Sequence, residues 1–401
     1  MAKKKEMGNV PNLRFKGFEG EWKQRTLADL GDFIGGGTPS SSNSNFWNGD
    51  IPWVSSSDLE EDSIHSINVS RYITNEAINK SSTKFCKAPV ILIVSRVGVG
   101  KVAYSNKNIC TSQDFTNIVN FKCNGLFLTY FLSIEMKNSA SSMQGTSIKG
   151  ISSTEIKSKK LFIPLNNEQQ KIASFLSLID ERILTQSKII DNLQSQIKEL
   201  AKKMFSQQMN LKDDNGINFP EWESRFGNEI FNNISNKNHN SDLPILAITQ
   251  EHGAIPRNLI EYQISVTDKS IDSYKVVEVG DFIISLRSFQ GGIEYSSYKG
   301  ICSPAYIILR AKTDIDNRFY KYYLKTEKYI KSLNEKLEGI RDGKMISYKY
   351  FSDISLPYPS LTEQNKISDI FSLFEKKIEL EKQLLLKYES QKKHLLQNLF
   401  I

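Results

Sequence analysis

Two arginines occupy matching places in the two halves of the chain. Arg96 follows an apolar run and precedes a glycine-rich stretch that reaches Tyr104 eight residues later. Arg287 also follows an apolar run, and it precedes Tyr295 by the same eight residues. A guanidinium in such a place can make two parallel hydrogen bonds to a guanine edge or clamp a phosphate. It can also pair with a carboxylate inside the fold, and the sequence leaves these alternatives open.

Other polar residues that suit nucleic-acid contact lie in loops that differ between the halves. Arg and Gln match guanine and adenine edges, whereas Ser, Thr and Lys more often hold phosphates. Each of these residues can also simply be solvated. The candidates are Thr38, Ser40, Ser55, Ser56, Ser57, Arg96, Lys101, Gln144, Thr146 and Lys149 in the first half, and Thr249, Gln250, Arg287, Ser288, Gln290, Arg341 and Lys344 in the second.

The sequence lacks the patterns that would indicate an enzyme acting alone. Gly98-Val-Gly-Lys101 is not a P-loop, because Ser95 and Val102 stand where that motif needs Gly and Ser or Thr. There is no Pro-Pro dipeptide and no Gly-x-Gly-x-x-Gly, and the four histidines have no metal-ligand spacing. Glu-x-Lys pairs occur, but a lysine-rich chain contains them by chance. We therefore expect no catalytic, cofactor or metal site in this chain.

The elements that must position the arginines form a long internal repeat. Residues 161–205 match residues 356–400 without a gap, since Glu168 aligns with Glu363 and Phe205 with Phe400. The segments around the two arginines match at an offset of 191 residues (287 − 96). A repeat of this length indicates two copies of one structural unit, and a frame that repeats while its loops diverge suits two readers of different ligands.

Each copy ends in an amphipathic helix. Apolar residues recur at alternating steps of four and three from Ile172 to Met204, and again from Ile367 to Leu399. This is the a/d pattern of a coiled coil. Pro164 and Pro357 precede the two helices, and each helix begins with Glu-Gln.

Polar residues interrupt this apolar seam at matching positions. Gln186 fills one apolar slot of the first helix, Glu381 fills the matching slot of the second, and Lys392 stands where the first helix has Ile197. Such a residue can set the register of paired helices, or it can mark a point where a core helix turns polar.

The chain order predicts the architecture. A block, a helix, a second block and a second helix can pair their seams only if the second helix runs back toward the first block. We predict an α+β protein with an internal pseudo-twofold repeat, in which two similar globular domains are separated by a two-helix antiparallel coiled coil. The predicted boundaries are 1–160 for domain 1, 161–207 for the central helix, 208–355 for domain 2 and 356–401 for the C-terminal helix.

Composition permits nucleic acid as a partner without requiring it. The formal net charge is +7, and residues 1–160 account for +6 of it (20 Lys and Arg against 14 Asp and Glu). Residues 208–355 are close to neutral (19 against 20), so any nucleic-acid surface there must be local. The four cysteines show no pairing pattern, and no apolar run would span a membrane, so we expect a cytoplasmic protein. Trp22, Trp53 and Trp222 are expected in the cores.

These features resemble the specificity subunits of type I restriction–modification systems. The resemblance extends over essentially the whole chain and rests on the Phe15 to Trp22 opening, the Gly49-Asp-Ile-Pro-Trp-Val-Ser-Ser-Ser-Asp58 strand and the repeated helix starts at Glu168 and Glu363. Two departures are Lys16, where related openings often carry Pro, and the weak match of 243–251 to the Ile-Pro-Trp-Val strand.

The resemblance implies a DNA-binding subunit without catalysis of its own. Each globular domain would be a target recognition domain that reads one half of a split site in double-stranded DNA. The helices would space the halves and dock two modification subunits, which bind S-adenosylmethionine and methylate adenine after flipping it from the stack. Two restriction subunits would use ATP and Mg²⁺. The rival reading is a two-headed adaptor that bridges protein partners without reading DNA.

Overall fold

The computed structural model describes residues 8–142, 150–239, 242–260, 268–335 and 346–401. The chain forms two compact units, each of which includes part of both long helices. Unit 1 comprises Met1–Lys188 and Gln383–Ile401, and unit 2 comprises Ile189–Lys382. Their cut points fall inside the helices, so helix and globular block fold together in each unit.

The described part of unit 1 contains ten strands and three helices before the first long helix. In chain order these are β1 (Lys23–Thr26), β2 (Asp32–Gly35), β3 (Trp47–Val54), β4 (Arg71–Ile73), α1 (Asn75–Lys80), β5 (Phe85–Cys86), β6 (Val90–Val94), β7 (Val102–Ser105), β8 (Ile109–Thr111), β9 (Phe115–Val119), α2 (Gly125–Ser142), α3 (Ser153–Ser158), β10 (Lys160–Ile163) and α4 (Asn166–Phe205).

The described part of unit 2 also has ten strands before its long helix, but its short helices occur at different points of the order. Its elements are β11 (Glu223–Phe226), α5 (Gly227–Ile230), β12 (Phe231–Ile234), β13 (Leu246–Thr249), β14 (Gly253–Pro256), β15 (Lys275–Val277), β16 (Phe282–Ile284), α6 (Ser288–Gly291), β17 (Glu294–Tyr295), β18 (Gly300–Cys302), β19 (Ile307–Ala311), α7 (Asn317–Tyr323), α8 (Glu327–Glu335), α9 (Tyr348–Ser352), β20 (Ser355–Tyr358) and α10 (Leu361–Leu399).

Each unit has its own central four-stranded sheet, and the two sheets have the same topology, which confirms the predicted duplication. The strand order is β2-β9-β6-β7 in unit 1 and β12-β19-β16-β17 in unit 2. Ile91 pairs with Tyr104 and Ile118, and Phe282 pairs with Tyr295 and Leu309. All three positions differ by the same 191 residues that relate Arg96 to Arg287, so the frame places these arginines equivalently.

A second sheet carries the other loops of each unit. In unit 1 its order is β4-β3-β8-β5, with β3 and β8 parallel. Unit 2 has the pairs β13-β14 and β15-β18, and a parallel bridge joins Ile245 to Ile301. This bridge corresponds to the parallel pairing of Trp53 with Cys110, so the weak sequence match of 243–251 to the Trp53 strand is correct in topology.

A short antiparallel pair of strands connects each globular block to its long helix. Strand β1 pairs with β10, and β11 pairs with β20 in the same way. Residues 160–163 and 355–358 are therefore strands that lead into the helices at 166 and 361. Pro357 lies in β20, and the true counterpart of Pro164 is Pro359: the Gln169 side chain donates to the Pro164 carbonyl at 2.9 Å, and Gln364 donates to Pro359 at 2.8 Å.

The repeated Gln of each helix start is a buried connector. Gln169 also accepts from the backbone N–H of Asn124 at 2.8 Å, and Gln364 accepts from Asp316 at 3.0 Å. Both side chains are at most 4% exposed. Buried amides need such partners, so the Glu-Gln motif joins block and helix in each unit.

Segments of the two long helices pack together inside each unit. In unit 1 the core includes Ile172, Leu176, Leu399 and Phe400. Asp180 contacts Lys392, and Arg182 lies over the Tyr388 ring, so residue numbers rise along α4 as they fall along α10. The segments are therefore antiparallel in unit 1. A coiled coil continuous through both units remains a prediction.

Unit 2 packs its helix segments around aromatic rings. Phe205 stacks on Phe371 with 5.8 Å between ring centroids, and both join a core with Met204 and Ile367. The tryptophans lie where the sequence predicts. Trp22 and Trp53 are 2% and 3% exposed, and Trp222 packs against the core of unit 2.

Candidate nucleic-acid interface

Four loops meet at one end of the unit 1 sheets. The backbone N–H of Gly37 donates to the Thr111 carbonyl at 2.8 Å, and that of Ser95 donates to the Asp114 carbonyl at 2.7 Å. These bonds join two of the segments that the sequence singles out, 36–40 and 95–101, through the loop at 111–114. We call this assembly loop cluster 1, and it consists of residues 36–40, 54–58, 95–101 and 111–114.

Arg96 projects from loop cluster 1. Its backbone N–H donates to the Asp114 carbonyl at 3.3 Å, and the residue is exposed. Within the described ranges, no hydrogen bond or ion pair holds its guanidinium. The internal ion pair that the sequence left open is thus not formed with any described carboxylate, and the side chain is available to a ligand.

Ser55 belongs to an internal network instead. Its backbone N–H and its hydroxyl donate to Asp58 at 2.7 and 2.9 Å, and Arg71 donates to the same carboxylate at 2.7 Å. Burial raises the pKa of Asp58, but the hydrogen bonds from Ser55 and Arg71 outweigh it and hold the pKa below its ordinary value. Ser55 therefore shapes the loop.

Arg71 is a member of this region that the sequence reading missed. Its guanidinium lies 4.5 Å from the centre of the Trp53 ring, and the side chain is 40% exposed. Only the pairing of β4 with β3 brings Arg71 to this place. No signal near Arg71 in the sequence indicates that contact.

Lys101 connects the 95–101 loop to the 54–58 loop by hydrogen bonds. Its ammonium donates to the carbonyls of Ser56 and Leu59 at 3.1 and 2.8 Å. A lysine occupied in this way braces the 54–58 loop, so we leave it out of the proposed contact surface. Ser56 is half-buried, whereas Ser57 is exposed and its hydroxyl lies 2.9 Å from that of Ser55.

The remaining predicted residues of unit 1 lie on the surface. Thr38 and Ser40 are exposed, and the hydroxyl of Ser40 lies 2.8 Å from that of Ser42. The Thr38 hydroxyl donates to the side chain of Gln113, which is also exposed. The polar run after the apolar strand Ile109–Thr111 was a signal that could have identified Gln113 from the sequence.

Unit 2 brings its predicted residues together at the corresponding place. The turn between β13 and β14 approaches the segment after β16, where the Gln250 amide donates to the Arg287 carbonyl at 3.3 Å. We call residues 250–252 and 285–291 loop cluster 2. Gly253 enters this turn at a φ of +70°, and a Cβ there would lie 2.6 Å from the Tyr295 carbonyl oxygen, so the close approach requires glycine.

Thr249 and Ser288 have structural roles. The Thr249 hydroxyl donates to the Gly253 carbonyl at 3.1 Å and accepts from the N–H of His252 at 3.0 Å, which closes the turn. Ser288 is 1% exposed, and its hydroxyl accepts from the N–H of Ser285 at 2.9 Å. Because these hydroxyls are used inside the fold, we remove both residues from the proposed surface.

Arg287, Gln250 and Gln290 are the exposed members of loop cluster 2. None of the ion pairs between described residues includes Arg287. The connection between the paired strands β16 and β17 contains a single helical turn, α6, for which Arg287 is the N-cap residue. The two arginines thus share a frame but enter different loops.

Five predicted residues lie outside the described residues, and their predictions stand as made. They are Gln144, Thr146, Lys149, Arg341 and Lys344.

The described residues offer no group of His, Cys, Asp and Glu arranged to hold a metal ion. Burial raises the pKa of Cys86 and Cys123 to about 11 and that of Cys302 to about 12, so these thiols are protonated at neutral pH. Within the described ranges, no helix has both the length and the apolar character that a membrane crossing needs.

A tandem pair of α+β domains, each presenting polar loops on the same frame, defines a duplicated two-domain protein. The sequence model of the type I restriction modification DNA specificity domain matches the chain twice, at residues 19–195 and 194–389. The chain belongs to this family.

Curated relatives are specificity subunits of type I restriction enzymes. The MjaIX subunit of Methanocaldococcus jannaschii is 30% identical over 51% of this chain and 46% of its own length. The EcoR124I/EcoR124II subunit of Escherichia coli is 36% identical over 48% of each chain. The match thus spans about half of both relatives. The M. jannaschii MjaVIII subunit is 24% identical over 94% of this chain and 91% of its own.

Solved structures show the same fold. The specificity subunit of a type I system from M. genitalium superposes with a TM-score of 0.57 at 19% identity, covering 98% of this chain and 99% of its own. A chain from a study of complex assembly and conformational transition of the type I system gives 0.56 at 17% identity, covering 94% and 96%.

Proposed function

We propose that this protein is the DNA-binding specificity subunit of a type I restriction–modification complex. Each globular domain reads one half of a bipartite site in double-stranded DNA. The observation that carries the proposal is the placement of Arg96 and Arg287 at the same register of a duplicated sheet, each exposed beside loops that differ in sequence. A common frame with different loops recognises two different half-sites.

The reading surface consists of the exposed loop residues. Arg96, Thr38, Ser40, Ser57 and Gln113 serve domain 1. Arg71 lies beside them, but its guanidinium is held by Asp58, so it belongs to the support of the loops. Gln250, Arg287 and Gln290 serve domain 2, where the near-neutral charge makes a local cluster necessary. Guanidinium and amide groups are those that match base edges.

The helices α4 and α10 provide the spacing and the docking surface. Leu178 and Leu373 lie at the repeat offset of 195 residues (373 − 178), and their side chains are 62% and 68% exposed. Because each helix exposes a leucine at the same repeat position, the chain presents the same apolar surface twice. That suits two copies of one partner, which we propose are modification subunits.

Chemistry takes place on the partners. We propose that the modification subunits bind S-adenosylmethionine and methylate adenine at N6, and that two restriction subunits use ATP and Mg²⁺. This chain supplies recognition and assembly without a cofactor of its own.

The test is to express the protein with its modification subunits and determine which adenines are methylated. The proposal expects one bipartite motif, and binding to that site should weaken steeply as salt rises, since phosphate contacts release counterions. A complex that forms but neither methylates nor binds DNA would instead support the two-headed adaptor.

A further inference from the structure

A small cavity in unit 1 is lined by three cationic side chains. It has a volume of about 140 Å³ and lies where β1, β10 and the start of α4 meet. Lys23 and Arg25 reach it from β1, and Lys122 reaches it from the segment after β9. Gln169, the buried connector at the helix start, forms part of its wall.

The cavity is separate from loop cluster 1. Strand β9 begins next to the 111–114 loop and ends before Lys122, whose backbone N–H donates to the Leu30 carbonyl at 2.9 Å. The two places are therefore at opposite ends of a five-residue strand, roughly 15 Å apart at the rise of an extended chain. The proposed reading surface does not account for these charges.

The three cations lack ion-pair partners within the described residues. The neighbouring carboxylate is Asp29, whose side chain accepts from the N–H and the hydroxyl of Thr26 at 3.0 and 2.7 Å. Hydrogen bonds from Thr26 lower the pKa of Asp29, with smaller contributions from Arg25 and Lys122. Asp29 thus interacts with two of the three cations, Arg25 and Lys122, and the residues that line the cavity carry three positive charges and no carboxylate.

Unit 2 carries less positive charge at the same place. Lys23 lies opposite Ile163 in its strand pair, and in the matching register Glu223 lies opposite Tyr358. Glu223 pairs with Arg225 at 3.2 Å, and the Arg225 guanidinium stacks 3.6 Å from the centre of the Tyr358 ring.

Lys122 also has a counterpart in unit 2. Lys312 donates its backbone N–H to Ile230 as Lys122 does to Leu30. The units therefore differ in two respects. Glu223 replaces Lys23, and Arg225 is paired with Glu223 and stacked on Tyr358. The positive charge in unit 1 does not follow from the shared fold.

We propose that the unit 1 cavity binds a phosphate dianion, either free phosphate or the terminal phosphate of a small molecule. Arg25 offers a planar fork, and the two lysines offer point charges, the donors that proteins use for phosphate. The cavity is smaller than the 300–1,000 Å³ typical of pockets that enclose larger ligands, so it accommodates one anionic group. Both polar groups of Gln169 are already bonded, so this residue shapes the wall.

The test measures phosphate binding by the full-length protein with isothermal titration calorimetry at constant ionic strength. Wild-type protein should bind inorganic phosphate, and Lys23→Glu, which copies Glu223, should weaken binding at least tenfold. Arg25→Gln should also weaken it. Lys107→Glu makes the same charge change at an exposed site between β7 and β8 and should leave binding unchanged.

Three results would overturn the proposal. If wild-type protein binds no phosphate, or if Lys107→Glu weakens binding as much as Lys23→Glu, the cavity has no specific role. Dimethyl phosphate, a singly charged model of the nucleic-acid backbone, should bind more weakly than phosphate; equal binding would rule out a dianion site. Melting of each variant without phosphate should match wild type, since all three side chains are exposed.

Discussion

The Lys392 ammonium of α10 lies 2.7 Å from the Asp180 carboxylate of α4. In the internal repeat, Lys392 takes the position that the apolar Ile197 has in α4. The pair is only 14% and 11% exposed, and Asp180 also accepts from Tyr130 at 2.6 Å. Lys392 donates to the Asp62 carbonyl at 3.0 Å as well. The polar residue in the seam therefore joins α10 to both α4 and the globular part of unit 1.

Replacing Lys392 with Ile should destabilise unit 1. The substitution restores an apolar seam residue but leaves the Asp180 carboxylate buried without its main cation. Tyr130 still donates, so we expect a loss of about 1–3 kcal/mol, below the full cost of breaking a buried pair. Urea denaturation measures it. Lys393→Ala removes the adjacent, exposed lysine and should cost little; a similar cost for both variants would contradict the role of the pair.

The stability that Asp180 provides should depend on pH. Burial raises its pKa, but hydrogen bonds from His65, Lys392 and Tyr130 outweigh it, and the net pKa is lowered. A lowered pKa means that the stabilisation is present above the unfolded value of about 3.9 and is lost as pH falls through the folded value. Wild type should therefore exceed Asp180→Asn in melting temperature near neutral pH, and the gap should shrink in acid. A gap that stays constant with pH would exclude this linkage.

Arg96 and Arg287 should each govern one half-site. Arg96→Ala should relax one half of the recognised motif and Arg287→Ala the other. Loss of a base contact costs about 1–3 kcal/mol at one position. Loss of a phosphate contact instead weakens all sequences alike and lowers the salt slope by about one. Methylation of a library randomised in both half-sites separates these results.

Exposed lysines elsewhere in each unit provide matched controls for the arginines. Lys107→Ala in unit 1 and Lys328→Ala in unit 2 should leave the motif intact. If either arginine variant relaxes both halves equally, or if neither alters binding, the assignment of one reader to each domain fails.

The outer faces of the helices should control assembly. Lys188 and Lys382 are exposed, and reversing their charge to Glu should weaken binding of the modification subunits without unfolding the chain. Leu178→Ser and Leu373→Ser should weaken it too, through loss of apolar contact. Size-exclusion chromatography with the partners measures assembly. Lys328→Glu, which lies in α8 and outside α4 and α10, serves as control. Full assembly of all four variants of α4 and α10 would refute the docking surface.

Helix length should determine the gap between half-sites. One heptad added to both helices keeps the seam in phase and adds roughly 10 Å. This equals about three base pairs at 3.4 Å each. The added pairs also rotate the DNA, so activity can fall. An active variant whose methylated motif keeps its original gap would show that the helices are not the ruler.

Much of the fold could be predicted because its signals are local or repeated. The apolar runs before Arg96 and Arg287 and the eight-residue spacing to Tyr104 and Tyr295 predict the hairpin frame, and the strand register confirms it at three positions. The a/d pattern likewise predicts α4 and α10. Periodicity indicates which face of an element is buried, and duplication indicates that the same element occurs in both halves of the chain.

The roles of individual polar residues depend on contacts between distant segments. Lys101 matches the chemistry of a phosphate contact, yet it donates to carbonyls more than forty residues earlier in the chain. Ser288 has the chemistry of a loop contact but is buried, and Arg71 and Gln113 reach loop cluster 1 through strand pairing and loop packing. A hydroxyl or ammonium bonds whichever group the fold brings nearest, and residue type alone does not report that group. Tertiary structure therefore decides which polar side chains remain free to bind a ligand.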